Sequence, residues 1–200
     1  MSETRPAIVV AAGGDGDRMG GNKPERELAG RSLLNHSLAW AMAHSDEVAI
    51  SVRSKEQVFE QPTVPLLIDR IGGIGPISAL DSAFRFAAQQ GREMVMLIGC
   101  DQPFLPSNLP SMLQLGIGAN GCALPVSHGR DHPMAALWRV NRSALANYIG
   151  GGGQSLWRFA DAVGVTRVDW GDGCDPDLFA NINDPAALAK AESQLSPRSD

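Results

Sequence analysis

A glycine-rich segment with two basic side chains follows the first apolar run of the chain. The run AIVVAA, residues 7–12, leads into Gly13 and Gly14, and Arg18 and Lys23 stand five residues apart beyond them. Glycine N–H groups can approach an anion closely because no Cβ intervenes, and a guanidinium and an ammonium add positive charge. The segment therefore predicts a polyphosphate site, with a flexible, charged surface loop as the alternative.

The same segment departs from two common phosphate-binding motifs. No GK[ST] follows the glycines, and Met19 stands where the dinucleotide-binding fingerprint needs its third glycine. Glu47 lies far beyond the ~20-residue distance at which that fingerprint places its ribose-binding acid. A nicotinamide dehydrogenase is thus disfavoured.

A lone carboxylate follows the second fully apolar run. Asp101 comes shortly after MVMLI, residues 94–98, and precedes Pro103. Ligands of open α/β sheets bind beyond the carboxyl ends of the strands, and Mg²⁺ needs only one or two carboxylates because water and substrate complete its shell. Asp101 is therefore either a magnesium ligand or a turn residue ahead of the proline.

Two further polar turns could face a ligand. Asp69 opens a turn that contains Gly75 and leads into Pro76, and the other turn contains Arg130 and His132. His132 also fits the description of an ordinary, partly buried histidine that hydrogen-bonds to its neighbours. The sequence leaves both readings of this histidine open.

The remaining reactive side chains form no recognisable centre. The cysteines Cys100, Cys122 and Cys174 are too widely spaced for a CxxC metal site or a disulfide framework, so we expect them to be reduced. Among the histidines, only His128 and His132 are spaced to converge on a metal. Neither GxSxG nor HExxH occurs, which disfavours the corresponding hydrolases.

Apolar runs and turn residues predict alternating strands and helices. The predicted strands are Ala7–Ala12, Val48–Val52, Leu66–Ile68, Met94–Ile98, Cys122–Val126, Met134–Val140 and Val165–Trp170, the fifth and sixth pairing as a long hairpin. The predicted helices begin after Ser32, cover Ser54–Phe59, run from Pro76 to about Gln90, cover Ser107–Leu115, Asn141–Tyr148 and Gln154–Val163, and begin after Pro185. This order predicts an α/β fold, a three-layer sandwich with a Rossmann-like, largely parallel sheet.

Length and composition limit the function classes. The 200 residues predict one domain, with 44% hydrophobic and 20% charged residues. The net charge of −5 disfavours nucleic acid and anionic lipid as partners. Because no apolar run reaches the ~18–20 residues of a membrane span and no apolar stretch follows Met1, we expect a cytoplasmic protein with no membrane partner.

Five motifs in this order resemble the molybdenum cofactor guanylyltransferase family. They are AAGGDGDRMGGNKPERELAGRSLL from Ala11, IDRIGGIGP from Ile68, GCDQPFLP from Gly99, GRDHPMAALW from Gly129 and FANINDPAAL from Phe179. The resemblance covers nearly the whole chain. It implies the nucleotide-diphospho-sugar transferase type of fold, with a nucleotide half over about residues 1–105 and an acceptor half over about 106–195.

The resemblance also implies a role for particular residues. The nucleotide would be bound by Ala11, Ala12, Gly13, Gly14, Lys23, Asp69, Gly75 and Asp101. Catalysis would rest on Arg18, Lys23 and Asp101, with Asp101 binding Mg²⁺. The acceptor would be bound by Arg130, His132, Asn181 and Asn183.

The implied reaction transfers GMP from GTP to the phosphate of molybdopterin and releases pyrophosphate. A phosphate monoester has a second pKa of about 6, so it is largely ionised at neutral pH and needs no general base. Mg²⁺, the two basic side chains and the loop amides would then neutralise the phosphates. Molybdoenzymes or other cofactor-synthesis proteins would be the protein partners.

Two departures from the family pattern keep alternatives open. Asp15 and Asp17 place negative charge in the segment expected to meet phosphates, which leaves a non-catalytic nucleotide-binding relative as an alternative. Arg53 stands about where the guanine enzymes often carry an asparagine, which leaves a cytidylyltransferase of the same fold as another. Of these functions, we expect guanylyl transfer.

Overall fold

The computed structural model describes residues 5–14, 23–57, 62–171 and 177–195. Its strands are β1 (Ala7–Ala11), β2 (Glu27–Leu28), β3 (Arg31–Ser32), β4 (Val48–Val52), β5 (Leu66–Ile68), β6 (Met94–Gly99), β7 (Cys122–Ser127), β8 (Arg130–Asp131), β9 (Ala135–Arg139) and β10 (Val165–Asp169). Its α-helices are α1 (Leu33–His44), α2 (Pro76–Gln89), α3 (Leu109–Gly116), α4 (Arg142–Gly150), α5 (Leu156–Val163) and α6 (Pro185–Leu195).

A mixed sheet forms the middle layer. Its strand order is β10-β7-β9-β6-β1-β4-β5, and the short β8 pairs with β7. β1 lies parallel to both β4 and β6, and β4 lies parallel to β5, whereas β9 lies antiparallel to β6 and β7. The predicted largely parallel sheet is therefore confirmed, and so is the predicted pairing of β7 with β9.

Helices cover both faces of this sheet, which makes three layers. On one face the buried side chains of α2, α4 and α5 pack against alternate residues of the central strands, among them Val9 and Leu97. On the other face α1 and α3 pack against the intervening residues, among them Ile8 and Met96. Because β1 and β6 are covered on both faces, their sequences are continuous apolar runs rather than alternating ones.

Most element boundaries agree with the sequence prediction, and the differences have local causes. The helix predicted from Ser107 begins at Leu109, since Pro110 is tolerated only in a first helical turn. Where Ser54–Phe59 was expected to be helical, residues 55–57 form a single 3₁₀ turn and residues 58–61 lie outside the described part. The β2–β3 ladder, two residues long on each side, carries too little pattern to be predicted.

The order of the strands switches at β1: the strands that follow it are added first on one side of β1 and then on the other. From β1 the chain proceeds to β4 and β5 on one side, and α2 then leads back to β6 on the other side of β1. The loops that follow β1 and β6 therefore diverge from a shared crevice at the carboxyl ends of these strands. Ligands of open α/β sheets bind at such a switch point.

No helix within the described ranges is long and apolar enough to cross a membrane.

Candidate active site

A cavity of about 250 Å³ opens at the carboxyl ends of β1 and β6. Eight of the sequence-predicted site residues line it: Ala11, Gly13, Gly14, Asp69, Gly75, Asp101, Asn181 and Asn183. They come from turns after β1, β5 and β6 and from the segment before α6, which are far apart in the sequence. The fold therefore brings these eight residues, expected on the nucleotide side and the acceptor side, to one crevice.

Asp101 lies where β6 ends, and Gly99 leaves room for its carboxylate. A Cβ added to Gly99 would collide with the Asp101 Oδ1 atom. The turn itself is fixed by backbone hydrogen bonds, because the Cys100 N–H donates to the Ala11 carbonyl over 3.1 Å and the Gly99 N–H donates to the Met134 carbonyl over 3.1 Å. The Asp101 carboxylate is thus held beside the end of β1.

The two asparagines reach the cavity from the segment that precedes α6. The Ile182 N–H donates to the Asp101 carbonyl over 2.9 Å, which fastens this segment to the turn after β6. The Ile182 side chain is buried with Leu28 of β2 and Leu33 of α1. Alternation along an extended segment places Asn181 and Asn183 on the side opposite Ile182, and both line the cavity.

Asp69 supplies a second carboxylate, held by two hydroxyl groups. The Ser51 hydroxyl donates to Asp69 Oδ1 over 2.5 Å, and the Ser82 hydroxyl donates to the same oxygen over 2.9 Å. Burial raises the pKa of this carboxyl above its ordinary value, while the serine hydrogen bonds act in the opposite direction. A carboxylate in this position can accept hydrogen bonds from N–H groups of a ligand.

Glycines bring the backbone close to the cavity on both sides of Asp69. A Cβ on Gly13 would lie 3.2 Å from the Arg53 backbone nitrogen and from its Cγ, so a larger residue would press on the segment after β4. Gly75 has a φ of +69° and caps the N-terminus of α2 without a side chain. The N-terminus of a helix carries a partial positive charge, and Gly75 and Pro76 bring this end of α2 to the cavity wall.

Several cavity residues were not predicted as site residues. Arg53 was singled out only for its bearing on base choice, and it lines the cavity. The others are Gly99, Cys100, Pro76, Ala79 and Met134. The first four adjoin predicted residues in sequence or lie one helical turn away, which could have indicated them; Met134 carries no such signal.

Two residues expected on the acceptor side lie outside the cavity wall. Arg130 is an exposed residue of β8. The His132 Nε2 lies 2.8 Å from the Ser127 hydroxyl oxygen, and its ring stacks on Phe179 at a centroid distance of 4.9 Å. Partial burial lowers the pKa of His132, and the negative charge of Asp177 acts in the opposite direction. These contacts match the hydrogen-bonded histidine that the sequence left as an alternative.

The remaining expected residues are placed as follows. Ala12 is buried, and its N–H donates to the Ser51 carbonyl over 2.8 Å. The backbone of Lys23 begins a 3₁₀ turn, and its side chain lies outside the described part of the structure. Arg18, together with Asp15, Asp17 and Cys174, lies outside the described residues. Cys100 and Cys122 are buried free thiols, in agreement with the expected reduced state.

The cavity oxygens suit a hard divalent cation. Asp101 provides a carboxylate, and Asn181 and Asn183 provide amide oxygens at the same crevice. Within the described ranges no three His, Cys, Asp or Glu side chains gather as a metal site. A site with one carboxylate fits Mg²⁺, which keeps several waters and binds substrate phosphates, better than it fits zinc.

Comparison with known proteins gives matches across nearly the whole chain. Residues 8–164 match the MobA-like NTP transferase domain. A molybdenum cofactor guanylyltransferase of Acidiphilium cryptum is 36% identical over 189 residues, covering 92% of this chain and 93% of the relative. Two crystal structures share the fold. One is molybdopterin-guanine dinucleotide biosynthesis protein A from Archaeoglobus fulgidus, with a TM-score of 0.76, 19% identity and coverage of 94% of this chain and 97% of that one. The other is 2-C-methyl-D-erythritol 4-phosphate cytidylyltransferase from Thermus thermophilus, with a TM-score of 0.69, 19% identity and coverage of 96% of this chain and 98% of that one.

Proposed function

The chain belongs to the family of MobA-like NTP transferases, and from that premise we propose that it transfers GMP from GTP to the phosphate of molybdopterin and releases pyrophosphate. Curated relatives at 30–36% identity over about nine-tenths of the chain carry the name molybdenum cofactor guanylyltransferase. The cytidylyltransferase match is at 19% identity and supports the fold alone.

One observation carries the proposal: the carboxylates of Asp69 and Asp101 line the same cavity but lie in different surroundings. Asp69 is held by serine hydroxyls on the β4–β5 side, and Asp101 lies at the end of β6 on the other side of the glycine turn. The first is suited to reading N–H groups of a base, and the second is suited to a cation on phosphates. The glycine turn after β1 lies between them, where the triphosphate would pass.

The reaction needs no general base from the protein. An oxygen of the molybdopterin phosphate attacks the α-phosphorus of GTP, a new P–O bond forms, and the bond from the α-phosphorus to the bridging oxygen breaks. Pyrophosphate leaves with that electron pair. Because the attacking phosphate is already ionised, the protein contributes alignment and charge neutralisation.

Asp101 would hold Mg²⁺, with Asn183 or Asn181 nearby. A bound Mg²⁺ supplies positive charge that neutralises phosphate oxygens as charge moves to the leaving group. Arg18 and Lys23 would contribute further positive charge from the segment after β1, and the N–H groups of Gly13 and Gly14 would bind phosphate oxygens. At the acceptor side, Asn181 and Asn183 would meet molybdopterin, with Arg130 and His132 farther along the same half.

A nucleotide panel tests the proposal. Isothermal titration calorimetry of the full chain with Mg²⁺ should give the highest affinity for GTP among GTP, CTP, ATP and NAD. Pyrophosphate release should then require both GTP and molybdopterin. Equal or tighter binding of CTP would favour cytidylyl transfer, and GTP binding without pyrophosphate release would favour a non-catalytic nucleotide-binding protein.

A further inference from the structure

We propose that Ser51 and Ser82 are positioning residues that orient the Asp69 carboxylate toward the nucleotide base and thereby set the preference for guanine. The inference rests on the proposed function. It follows from the contacts of three side chains on three different elements: Ser51 on β4, Asp69 directly after β5, and Ser82 in α2.

Both serine hydroxyls act on the same carboxylate oxygen. They donate to Asp69 Oδ1 over 2.5 and 2.9 Å, while Ser51 and Ser82 are only 0% and 1% exposed. Asp69 lines the cavity, but neither serine does. The two hydroxyls therefore satisfy the lone pairs of Oδ1 from the protein interior, which makes Oδ2 the oxygen that a ligand would meet.

Arg85 fixes the direction of the Ser82 hydrogen bond. The Arg85 Nη2 donates to Ser82 Oγ over 3.0 Å, and its Nε donates to Asp81 Oδ2 over 3.0 Å. Because a guanidinium has no acceptor, Ser82 Oγ must accept from it, and the hydroxyl hydrogen remains for Asp69. The chain Asp81–Arg85–Ser82–Asp69 is thus polarised in one direction.

The backbone around these residues is rigid. Ser51 pairs with Ala11 of β1 on one side and with Leu67 of β5 on the other, and the Asp69 N–H donates to the Val52 carbonyl over 2.8 Å. Side chains on strands and helices keep an orientation more closely than side chains on loops. The carboxylate plane is therefore set before a nucleotide arrives.

A carboxylate held in this way distinguishes bases by their hydrogen-bonding edges. Guanine presents N1–H and N2–H₂ as adjacent donors, and both can reach one carboxylate. Cytosine presents acceptors at O2 and N3, which a carboxylate repels. A donor or acceptor left unpaired in a buried site weakens binding by roughly tenfold or more. The orientation of Asp69 should therefore govern the ratio of GTP to CTP affinity and the ratio of GTP to ITP affinity.

Calorimetry on the full chain with Mg²⁺ tests this, using GTP, ITP, which lacks the N2 amino group, and CTP. In wild type we expect GTP to bind at least about tenfold tighter than ITP. Ser51→Ala and Ser82→Ala should each reduce the GTP:ITP ratio several-fold and leave CTP affinity unchanged. Ser45→Ala is the matched control, because Ser45 is a buried serine that donates to the Pro6 carbonyl away from this cavity.

Two further readouts separate positioning from loss of structure. In the D69N background, S51A should add no further loss of GTP affinity, because its effect passes through the carboxylate. The hydroxyls favour ionised Asp69, so S51A and S82A should move the acid limb of GTP binding to higher pH. Arg85 from α2, Arg53 after β4 and Asp101 after β6 remain unchanged in these variants.

The outcomes distinguish the inference from the proposed function. If wild type prefers GTP and D69N abolishes the preference, but folded S51A and S82A retain it, the positioning role is overturned and guanylyl transfer stands. If wild type shows no preference for GTP, both fail. Should either serine variant not fold, Arg85→Ala tests the same chain of hydrogen bonds one residue farther from the carboxylate. An unchanged GTP:ITP ratio in that variant would count against the inference.

Discussion

At the scale of single residues, a missing side chain decides where the Asp101 carboxylate can lie. Gly99 precedes it by two positions at the end of β6, and a Cβ there would occupy the place of Asp101 Oδ1. The carboxylate can therefore fold back beside the strand end rather than project away from the crevice. This explains why a carboxylate two residues beyond a buried strand can face the same cavity as the end of β1.

Asp101→Asn should abolish Mg²⁺-dependent nucleotidyl transfer and leave the protein folded. The amide keeps the volume of the carboxyl group but lacks the charge that binds a hard cation. Pyrophosphate release over a Mg²⁺ titration checks the first expectation, and circular dichroism checks the second. Asp46→Asn is the control, because Asp46 is exposed and lies outside the cavity. Equal Mg²⁺ dependence in wild type and D101N would place the metal elsewhere.

Lys23→Ala should lower turnover far more than stability. A lysine that neutralises phosphate charge contributes ~2–4 kcal/mol of transition-state stabilisation when it acts as one preorganised electrostatic group. The measurement is kcat/KM for GTP beside a thermal unfolding curve. Lys55→Ala, an exposed lysine in the 3₁₀ turn after β4, is the matched control. Wild-type activity in K23A would show that the segment after β1 does not bind the triphosphate through this residue.

Asp69→Asn should raise stability at neutral pH while it lowers GTP affinity. Burial raises the pKa of Asp69, so its charged form is disfavoured in the folded state relative to the unfolded state. The wild type is therefore less stable at neutral pH than at lower pH. It gains stability as the pH falls through the folded-state pKa of Asp69 toward the pKa of this residue in the unfolded state. The difference in Tm between D69N and wild type should shrink over that range. A lower Tm for D69N at pH 7 would contradict this reasoning.

Some site residues could be recognised from sequence because their chemistry is local. Gly13, Gly14 and Asp101 follow apolar runs, and that position alone places them at a strand end. The hydrogen bonds of Ser51 and Ser82 to Asp69 could not be predicted, since they join residues 18 and 13 positions apart through strand register and helix packing. Sequence gives the residue types, whereas tertiary packing gives their mutual orientation.

At the scale of elements, prediction succeeded where several local signals agreed. Ser32 accepts a hydrogen bond from the Asn35 N–H at the start of α1, and α2 begins at Pro76 and ends before Gly91, as the cap and breaker residues indicated. Apolar character alone does not decide burial: Met42 of α1 is 54% exposed, although it lies four residues from the buried Leu38.

Three elements hold the turn that contains Arg130 and His132. Asp131 of β8 accepts a hydrogen bond from Trp157 Nε1 of α5 over 2.7 Å. It also forms an ion pair with Arg167 of β10, at a distance of 2.9 Å. Despite the opposing effect of partial burial, these partners hold the pKa of Asp131 below its ordinary value. This clamp of Asp131, Trp157 and Arg167 fixes the segment on which the expected acceptor residues lie.

Arg167→Ala should therefore raise KM for molybdopterin while leaving the Kd for GTP unchanged. The Arg167 side chain is 42% exposed, so its loss should cost less than about 1 kcal/mol of folding stability. Kinetics at varied molybdopterin with saturating GTP provide the measurement. Arg158→Ala, which removes an exposed arginine of α5, is the control. A change in GTP affinity of R167A, or no change in KM for molybdopterin, would disprove this role for the clamp.

At the scale of the whole molecule, different strands carry the two carboxylates of the cavity. The parallel strands β4 and β5 carry the Asp69 side, and β6 carries Asp101 at the switch point. Beyond β6 the strand direction reverses at β9, so the second half of the chain reaches the crevice through Met134, just before β9, and through the segment before α6 rather than through a further βα turn. The division into a nucleotide half and an acceptor half stays a prediction from the sequence.

The whole cavity should favour GTP over CTP by at least tenfold in turnover. The carboxylate of Asp69, with backbone carbonyls of the turn near Ala11 and Ala12, would accept from N1–H and N2–H₂ of a bound guanine. Each buried group left unpaired by the wrong base costs ~1–3 kcal/mol. Arg53 only donates, so it can serve O6 or N7 of guanine but also O2 of cytosine. Arg53→Ala should therefore lower kcat/KM for both nucleotides and change their ratio less than D69N does.

Pyrophosphate release with Mg²⁺ and molybdopterin, measured in parallel for GTP and CTP, gives these ratios for wild type, R53A and D69N. Arg31→Ala is the control, because Arg31 is an exposed residue of β3 outside the cavity. Faster turnover with CTP in wild type would overturn the guanylyl assignment but not the nucleotidyltransferase family. If the ratio of turnover with GTP to turnover with CTP changed more in R53A than in D69N, base recognition would be assigned to Arg53 rather than to the Asp69 carboxylate. A hydrogen-bond donor rather than an acceptor would then distinguish the two bases.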